Sequence, residues 1–228
     1  MRKFFTMSYT AVNTKIKALR AKLLTIADYE ALCNGKIYTT QPQDELIKIA
    51  CYLNKTDRDF INKPMTGLQV NEALRRIGKL DKSSGKSLKR MYGKETDIRN
   101  IILIYRLKKF YKIEGNAIFP YLIPFSYKLN TEEISRLSHT KDLDSFVKLV
   151  SDGAYSGSFN KLSDFTRGEQ ILSKAIRLQY KKESRKENLS VVCEYLYVKK
   201  CEEKNLHAIE VGIKNGLAPD KIFERLHI

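Results

Sequence analysis

Residues 187–228, ENLSVVCEYLYVKKCEEKNLHAIEVGIKNGLAPDKIFERLHI, decide the fold class of this chain. Their apolar side chains recur mostly at steps of three and four residues, which predicts a long amphipathic helix. These side chains are Leu189, Val192, Tyr195, Leu196, Val198, Cys201, Leu206 and Ile209. The pattern ends at Gly212 and Gly216, and Pro219 with Asp220 then suits the first turn of a new helix. The stretch therefore predicts a long helix, a glycine stop and a short capped helix.

Asn205 is a polar residue on the apolar side of this long helix, one turn from both Cys201 and Ile209. A buried amide must find hydrogen-bond partners or destabilise the fold. We therefore interpret Asn205 as a satisfied core residue that fixes the register of the helix.

The composition is globular, with 43% hydrophobic residues in a chain of 228, enough for one large domain or two small ones. The chain has only 11 glycines and 5 prolines, which favours regular α structure with few tight turns. The net charge of +16 leaves two interpretations open. Either the chain has an acidic neighbour, such as nucleic acid, an anionic membrane or an acidic protein, or lysine is simply its default surface residue.

The cysteines and histidines do not predict a metal site. Cys33, Cys51, Cys193 and Cys201 form no CxxC pair, and the one histidine near them is His207. We expect reduced thiols in a cytosolic protein, with no metal and no cofactor. No apolar run approaches the roughly 18 residues that a membrane helix needs, so we expect a protein that is neither embedded nor secreted.

The remaining periodic stretches are also helical, and no alternating strand pattern occurs, so the predicted class is all-α. The predicted helices are 8–24, 27–33, 43–53, 68–77, 95–112, 132–137, 143–150, 164–182 and 189–212. Residues 119–125 are predicted to form an apolar loop, because two prolines interrupt them. Residues 153–157 are predicted to form a link of small residues.

The most basic stretch is 75–94, with eight lysines or arginines against one acid, Asp81. Ser83-Ser84-Gly85 at its centre predicts a loop. Gly85-Lys86-Ser87 is similar to the end of a phosphate-binding loop, but the full motif needs a glycine where Leu80 stands, and no strand precedes it. A solvated basic face is the first interpretation. The second is a docking patch for an acidic partner, formed by Lys79, Lys82, Lys86, Lys89 and Arg90.

A repeat relates two of the predicted helices. Residues 97–101 (DIRNI) and 202–206 (EEKNL) share the order acid, any residue, base, asparagine and aliphatic residue. Each helix is followed by the start of a short apolar-led helix, and the first helix of the chain ends in a similar unit. We therefore predict one helical unit repeated three times around a pseudo-threefold axis, within a single domain 1–228. The predicted units are roughly 8–60, 68–165 and 166–228.

These features together resemble a known family. The motifs are residues 9–18 (YTAVNTKIKA), the helix with Asp97 and Asn100, the phrase 121–124 (YLIP), and the ending with Asn205, 216–219 (GLAP) and Ile222. In this order they resemble the C subunit of the archaeal and bacterial V/A-type ATPases, in the same family as the d subunit of the vacuolar proton pump. The resemblance covers both ends and much of the middle of the chain.

The resemblance implies an all-helical, funnel-like bundle and a non-catalytic rotor component. Such a component caps the cytoplasmic side of the membrane rotor ring, holds the central stalk, and couples ATP turnover to H⁺ or Na⁺ transport. The partners implied are the central-stalk subunits and the rotor ring, with no direct nucleic acid. The chain is shorter than members of the family, and since both ends match, we expect the missing residues between 38 and 94.

We expect the recurring polar side chains to hold the units together rather than to contact another protein of the complex. These residues are Tyr9, Asn13, Lys17, Asp97, Asn100, Glu202 and Asn205. The basic residues Lys79, Lys82, Lys86, Lys89 and Arg90 are the better candidates for partner contact.

Two other functions stay open from the residues alone. The basic stretch 75–94 is compatible with a helical nucleic-acid-binding protein, whose affinity would fall steeply with salt. Against this, the basic residues are spread along the chain, and no helix-turn-helix pattern stands out. The second alternative is an enzyme that uses residues 85–87 on a nucleotide.

Overall fold

A computed structural model describes residues 9–36, 53–62, 70–159 and 168–228. Within these ranges the chain is all-α, as predicted, and contains no strand. The described α-helices are α1 Thr10–Arg20, α2 Ile26–Cys33, α3 Lys55–Ile61, α4 Val70–Ile77, α5 Lys82–Tyr111, α6 Thr131–Ser138, α7 Leu143–Asp152, α8 Ser156–Phe159, α9 Gly168–Ser184, α10 Leu189–Lys214 and α11 Pro219–Phe223.

Three differences from the predicted elements concern short segments. A 3₁₀ helix, Gly115–Tyr121, overlaps the start of the predicted loop 119–125, and α3 is a helix that the periodicity does not predict. Helix α8 begins at Ser156, inside the predicted link 153–157. The predicted helix 43–53 lies outside the described residues except at Leu53.

Side-chain caps explain where α2 and α6 begin. The Thr25 hydroxyl accepts from the backbone N–H of Asp28, whose carboxylate accepts from the backbone N–H of Thr25 in return. Asn130 and Glu133 make the same reciprocal pair at the start of α6. Each pair satisfies two N–H groups that a helix start leaves without intrahelical partners.

The two longest helices, α5 and α10, contain 30 and 26 residues. At 1.5 Å per residue they are about 45 and 39 Å long. Helix α9 packs against both of them. Its Tyr180 donates to Oε2 of Glu95 on α5 over 2.8 Å, and the Tyr180 ring lies 5.0 Å from the ring of Tyr197 on α10. Helix α9 therefore ties the two long helices together.

Buried apolar side chains form three groups. The junction core joins α1 with the first turns of α5 and α10, and includes Ile16, Met91 and Tyr195. The α5 core surrounds the second half of α5, where Ile104 is fully buried among helices α6 to α9. The α10 core joins α2, α11 and the second half of α10 around Ile222. Each long helix thus begins in the junction core and continues into a core of its own.

The loop predicted at 83–85 is wrong, because these residues form the first turn of α5. Asp81 is the N-cap, and its carboxylate accepts from the backbone N–H groups of Ser83 at 2.9 Å and Ser84 at 3.0 Å. Ser84 and Ser87 are fully buried. Small polar residues favour loops by propensity. Here they allow the starts of α5 and α10 to approach closely and to hydrogen-bond each other.

Gly93 provides a test of the packing on α5. A Cβ atom at this position would lie 2.6 Å from Tyr127 Cβ. Tyr127 belongs to residues 122–130, the covering segment that packs on α5, and its Cβ is attached directly to the backbone of that segment. Replacing Gly93 by alanine gains about 1 kcal/mol of helix propensity, but forcing the two segments apart costs about 2–3 kcal/mol. We expect a net loss of about 1–2 kcal/mol in the free energy of unfolding, measured by urea denaturation. Gly78→Ala, whose added Cβ would meet nothing closer than 3.4 Å, is the matched control. Equal stability of the two variants would contradict the packing described.

Candidate functional site

The starts of four helices meet at one point, which we call the helix junction. Tyr9 precedes α1, Asn54 and Asp57 begin α3, Asp81 caps α5, and Asn188 caps α10. Helix N-termini carry partial positive charge. Two carboxylates, those of Asp57 and Asp81, lie where these helix starts converge.

The Tyr9 hydroxyl is the centre of the junction. It lies 2.8 Å from Oδ2 of Asp81 and 3.1 Å from Oδ2 of Asp57, and it accepts a hydrogen bond from the Ser84 hydroxyl. A phenol has one hydrogen to donate, so the two carboxylates compete for it. Burial raises the pKa of the Tyr9 hydroxyl far above its usual range, so this hydrogen stays in place.

The two junction carboxylates differ in their environment. Burial raises the pKa of Asp57, and this effect outweighs the hydrogen bonds from Tyr9 and Asn54. At Asp81 burial acts in the same direction, but hydrogen bonds from Ser84, Tyr9 and the Ser83 backbone outweigh it, so the pKa of Asp81 is lowered. Asp81 is therefore the firmly ionised member of the pair.

Direct hydrogen bonds join the start of α10 to α1 and α5. The Asn188 amide donates to the hydroxyls of Ser83 at 2.9 Å and Ser87 at 3.0 Å. The backbone N–H of Leu189 donates to Ser84, and the Asn13 amide donates to the backbone carbonyl of Glu187. The first turns of α1, α5 and α10 are thus connected through side chains that are distant in sequence.

Replacing Tyr9 by phenylalanine tests the junction without changing its packing. The variant leaves Asp57, which is 3% exposed, with one fewer hydrogen-bond donor, and it removes one acceptor of the Ser84 hydroxyl. We expect a loss of about 1–2 kcal/mol in the free energy of unfolding, measured by urea denaturation. Tyr111→Phe, at a position 70% exposed, should leave stability unchanged. A Tyr9 variant as stable as this control would rule out a bonded junction.

Asp97 holds a loop against the middle of α5, and its side chain is fully buried. Its carboxylate accepts from three successive backbone N–H groups, of Tyr127 at 3.0 Å, Lys128 at 2.7 Å and Leu129 at 3.0 Å. The Tyr155 hydroxyl adds a fourth hydrogen bond of 2.5 Å. This arrangement fixes the segment that leads into α6.

Asn100, one turn further along α5, pairs with a single residue of the same covering segment. Its amide nitrogen donates to the carbonyl of Ile123 at 3.0 Å, and its oxygen accepts from the N–H of Ile123 at 2.9 Å. Ile123 therefore has both of its backbone groups satisfied by one side chain, as an antiparallel strand neighbour would do.

The repeated motif on α10 makes related bonds. Glu202 accepts from the backbone N–H of Leu24 at 2.8 Å, next to the cap of α2, and pairs with Lys199. The Asn205 oxygen accepts from the backbone N–H of His227 at 2.6 Å, and Asn205 also hydrogen-bonds the Tyr29 side chain. In both motifs the acidic side chain accepts from backbone N–H groups just before a helix that starts with a capping box. The asparagine side chain bonds the backbone of a different residue, Ile123 for Asn100 and His227 for Asn205.

The basic candidates separate into two groups. Lys79, Lys82, Lys86 and Lys89 are exposed, as is Lys17 on α1. Arg90 instead points inward: its guanidinium bonds Glu183 Oε2 at 3.0 Å, and Lys94 bonds the other Glu183 oxygen at 3.0 Å.

Comparison with models of known protein families identifies the family of this chain. A model of the family described as ATP synthase (C/AC39) subunit matches residues 69–225, more than half of the chain. The chain belongs to this family. The resemblance to the V/A-type ATPase family named above is thereby confirmed. No curated protein and no solved structure in the comparisons matches the chain.

The C/AC39 match includes the motifs with Asp97 and Asn100 and with Glu202 and Asn205. It begins after α1, so that Tyr9, Asn13 and Lys17 lie outside the matched range. The family is one of ATP synthase subunits, and the expected partners belong to such a complex.

The part of this C/AC39 protein that the structure describes bears on three kinds of site: a metal site, a phosphate-binding loop and a membrane-spanning helix. No three His, Cys, Asp or Glu side chains there lie close enough together to hold a metal ion. Residues 85–87 are helical rather than a phosphate-binding loop, and Ser87 is buried against Asn188. None of the described helices is long and apolar enough to cross a membrane.

Sequence reasoning missed several residues of this C/AC39 protein that join its helices: Asp57, Ser84, Glu183 and Asn188. Asp81 and Asn188 each stand directly before a helix, and this N-cap signal is readable in the sequence. Glu183 gives no such signal, because its partner Arg90 is 93 residues away.

Proposed function

We propose that this C/AC39 protein is a non-catalytic coupling part of a V/A-type ATPase. In this role it links the central stalk to the membrane rotor ring at the cytoplasmic face of the membrane. It thereby couples ATP turnover to H⁺ or Na⁺ transport. Its membership of the C/AC39 family supports its place in an ATP synthase complex, and the position between stalk and ring is proposed in addition.

The observation that carries the proposal is the cross-linking of the long helices. A part that passes torque must resist sliding and bending between its helices. Helices α5 and α10 are bonded directly at the junction through Asn188, and α9 joins them through Tyr180 and Glu183. Buried hydrogen-bond networks that cross-link helices in this way rigidify a fold.

The electrostatics also support this position. The loops of a membrane ring lie close to anionic lipid headgroups, whose negative potential attracts basic surfaces. The chain carries a net charge of +16, so it suits a location above such a ring.

The test is recovery of the tagged chain from gently solubilised native membranes, with mass spectrometry of the proteins that accompany it. We expect the catalytic, stalk and ring subunits of an ATPase, retained in a detergent that preserves the complex. Recovery of catalytic subunits without ring or stalk subunits would contradict the coupling position. Recovery of nucleic acid alone, lost at high salt, would instead favour the nucleic-acid-binding alternative.

A further inference from the structure

The start of α5 presents a narrow row of lysines, which we call the lysine stripe: Lys82, Lys86 and Lys89, preceded by Lys79. The three helical lysines are spaced by four and three residues, so they lie on one side of α5. All four are exposed, and within the described ranges none of them forms an ion pair. The opposite side of the helix, with Ser84, Leu88 and Met91, is buried in the junction.

Neighbouring carboxylates are already engaged. Asp81 caps α5 and binds Tyr9. Glu183 is shared by Arg90, Lys94 and Lys186. The positive charge of the stripe is therefore not balanced by these groups, and it remains available to a partner.

We propose that the lysine stripe docks an acidic helix of another protein of the complex, with carboxylates spaced by three and four residues. This rests on the proposed function and names the chemistry of one of its contacts. Lysines at such spacing have Cβ atoms about 5–6 Å apart, which matches acidic residues at the same spacing on a helix lying alongside. Pairing of opposite charges on facing helices sets partner choice and orientation in coiled coils.

The surface around the stripe favours a protein partner over a membrane. A helix that lies on a membrane inserts large apolar side chains beside its basic residues. No large exposed hydrophobic residue occurs among the described residues 70–92, and the nearest along α5 is Phe110. The stripe therefore offers charge alone, on a narrow strip that fits a rod-shaped partner.

The first test uses two variants of equal charge change. Lys82→Glu/Lys86→Glu/Lys89→Glu reverses the stripe, and Lys174→Glu/Lys181→Glu/Lys182→Glu reverses three exposed lysines of α9. Circular dichroism establishes that both fold. From native membranes, we expect the control to recover the ATPase subunits as the wild type does and the stripe variant to recover clearly less. Equal recovery by both variants would overturn the docking role while leaving the coupling function intact.

A second measurement stays informative even if the complex is not recovered. The probe is a synthetic helical peptide with glutamates at positions i, i+4 and i+7, compared with a peptide of identical composition whose glutamates are consecutive. By fluorescence anisotropy at low salt, we expect the spaced peptide to bind the wild type at least about tenfold more tightly than the stripe variant. The control variant should bind like the wild type. Equal binding of the two peptides, or tighter stripe-dependent binding of RNA or anionic vesicles, would overturn the proposal.

Discussion

Replacing Asp97 by alanine is expected to lower the free energy of unfolding by about 4 kcal/mol, because three backbone N–H groups and one hydroxyl lose their shared acceptor. Hydrogen bonds to a charged group contribute about 1.5–3 kcal/mol each, and their losses are not additive when water can enter. Urea denaturation followed by circular dichroism measures the change. Hydrogen exchange at the amides of Tyr127, Lys128 and Leu129 should accelerate strongly.

A graded control separates the loss of the acceptor from a general cavity effect. Tyr155→Phe removes one of the four donors and should cost only about 1–2 kcal/mol. Burial and the nearby Asp97 carboxylate raise the pKa of Tyr155, so its hydroxyl remains a donor at all ordinary pH values. If Asp97→Ala and Tyr155→Phe were equally destabilising, the backbone bonds of Asp97 would contribute nothing to stability.

Replacing Glu183 by glutamine is expected to cost about 3 kcal/mol at neutral pH, because it leaves buried cations without their counter-charge. Lys94 is only 12% exposed at its side chain, and Glu183 is 6% exposed. Glutamine keeps the shape but cannot balance the charges of Lys94 and Arg90. The measurement is the free energy of unfolding in urea across a range of pH.

The pH dependence of this effect has a definite sign. Burial acts to raise the pKa of Glu183, but hydrogen bonds from Lys186, Lys94 and Arg90 outweigh it and lower this pKa below its usual 4.5. The stabilisation is therefore complete above about pH 4.5 and is lost as the pH falls through the lower native value. The curves of wild type and Glu183→Gln should converge in acid. The control is Glu72→Gln, which breaks an exposed pair with Arg75 and should have little effect on stability at any pH. Stability curves of wild type and Glu183→Gln that stay parallel across the pH range would contradict the role assigned to Glu183.

The sequence predicts well those elements whose signals are local. Helices α2, α6 and α10 lie within a few residues of their predicted bounds, because apolar periodicity and capping residues mark them. The start of α5 is different. Its serines and glycine favour a loop locally, but Asp81 caps them as a helix, and Ser84 and Ser87 bond Leu189 and Asn188 about one hundred residues later in the chain.

The repeat points to Asp97 and Asn100 without any knowledge of their surroundings. Their partners, Ile123 and residues 127–129, could not be predicted, because a chain segment that binds through its backbone carries no side-chain signature. Arg90 shows the opposite problem. Its charge indicates a surface residue, but a partner 93 residues away on α9 draws it inward.

The α10 core delays the folding of α2 during biosynthesis. Helix α2 is made well before its partners Glu202, Ile209 and Ile222, which lie more than 160 residues after it. At ribosomal rates of about 5–20 residues per second, α2 emerges roughly 10–40 s before Ile222 exists to cover it. For most of that time the apolar side of α2, with Leu32 and Cys33, lacks the partners from α10 and α11 that cover it in the folded protein. The α10 core therefore closes only after Ile222 has been synthesised.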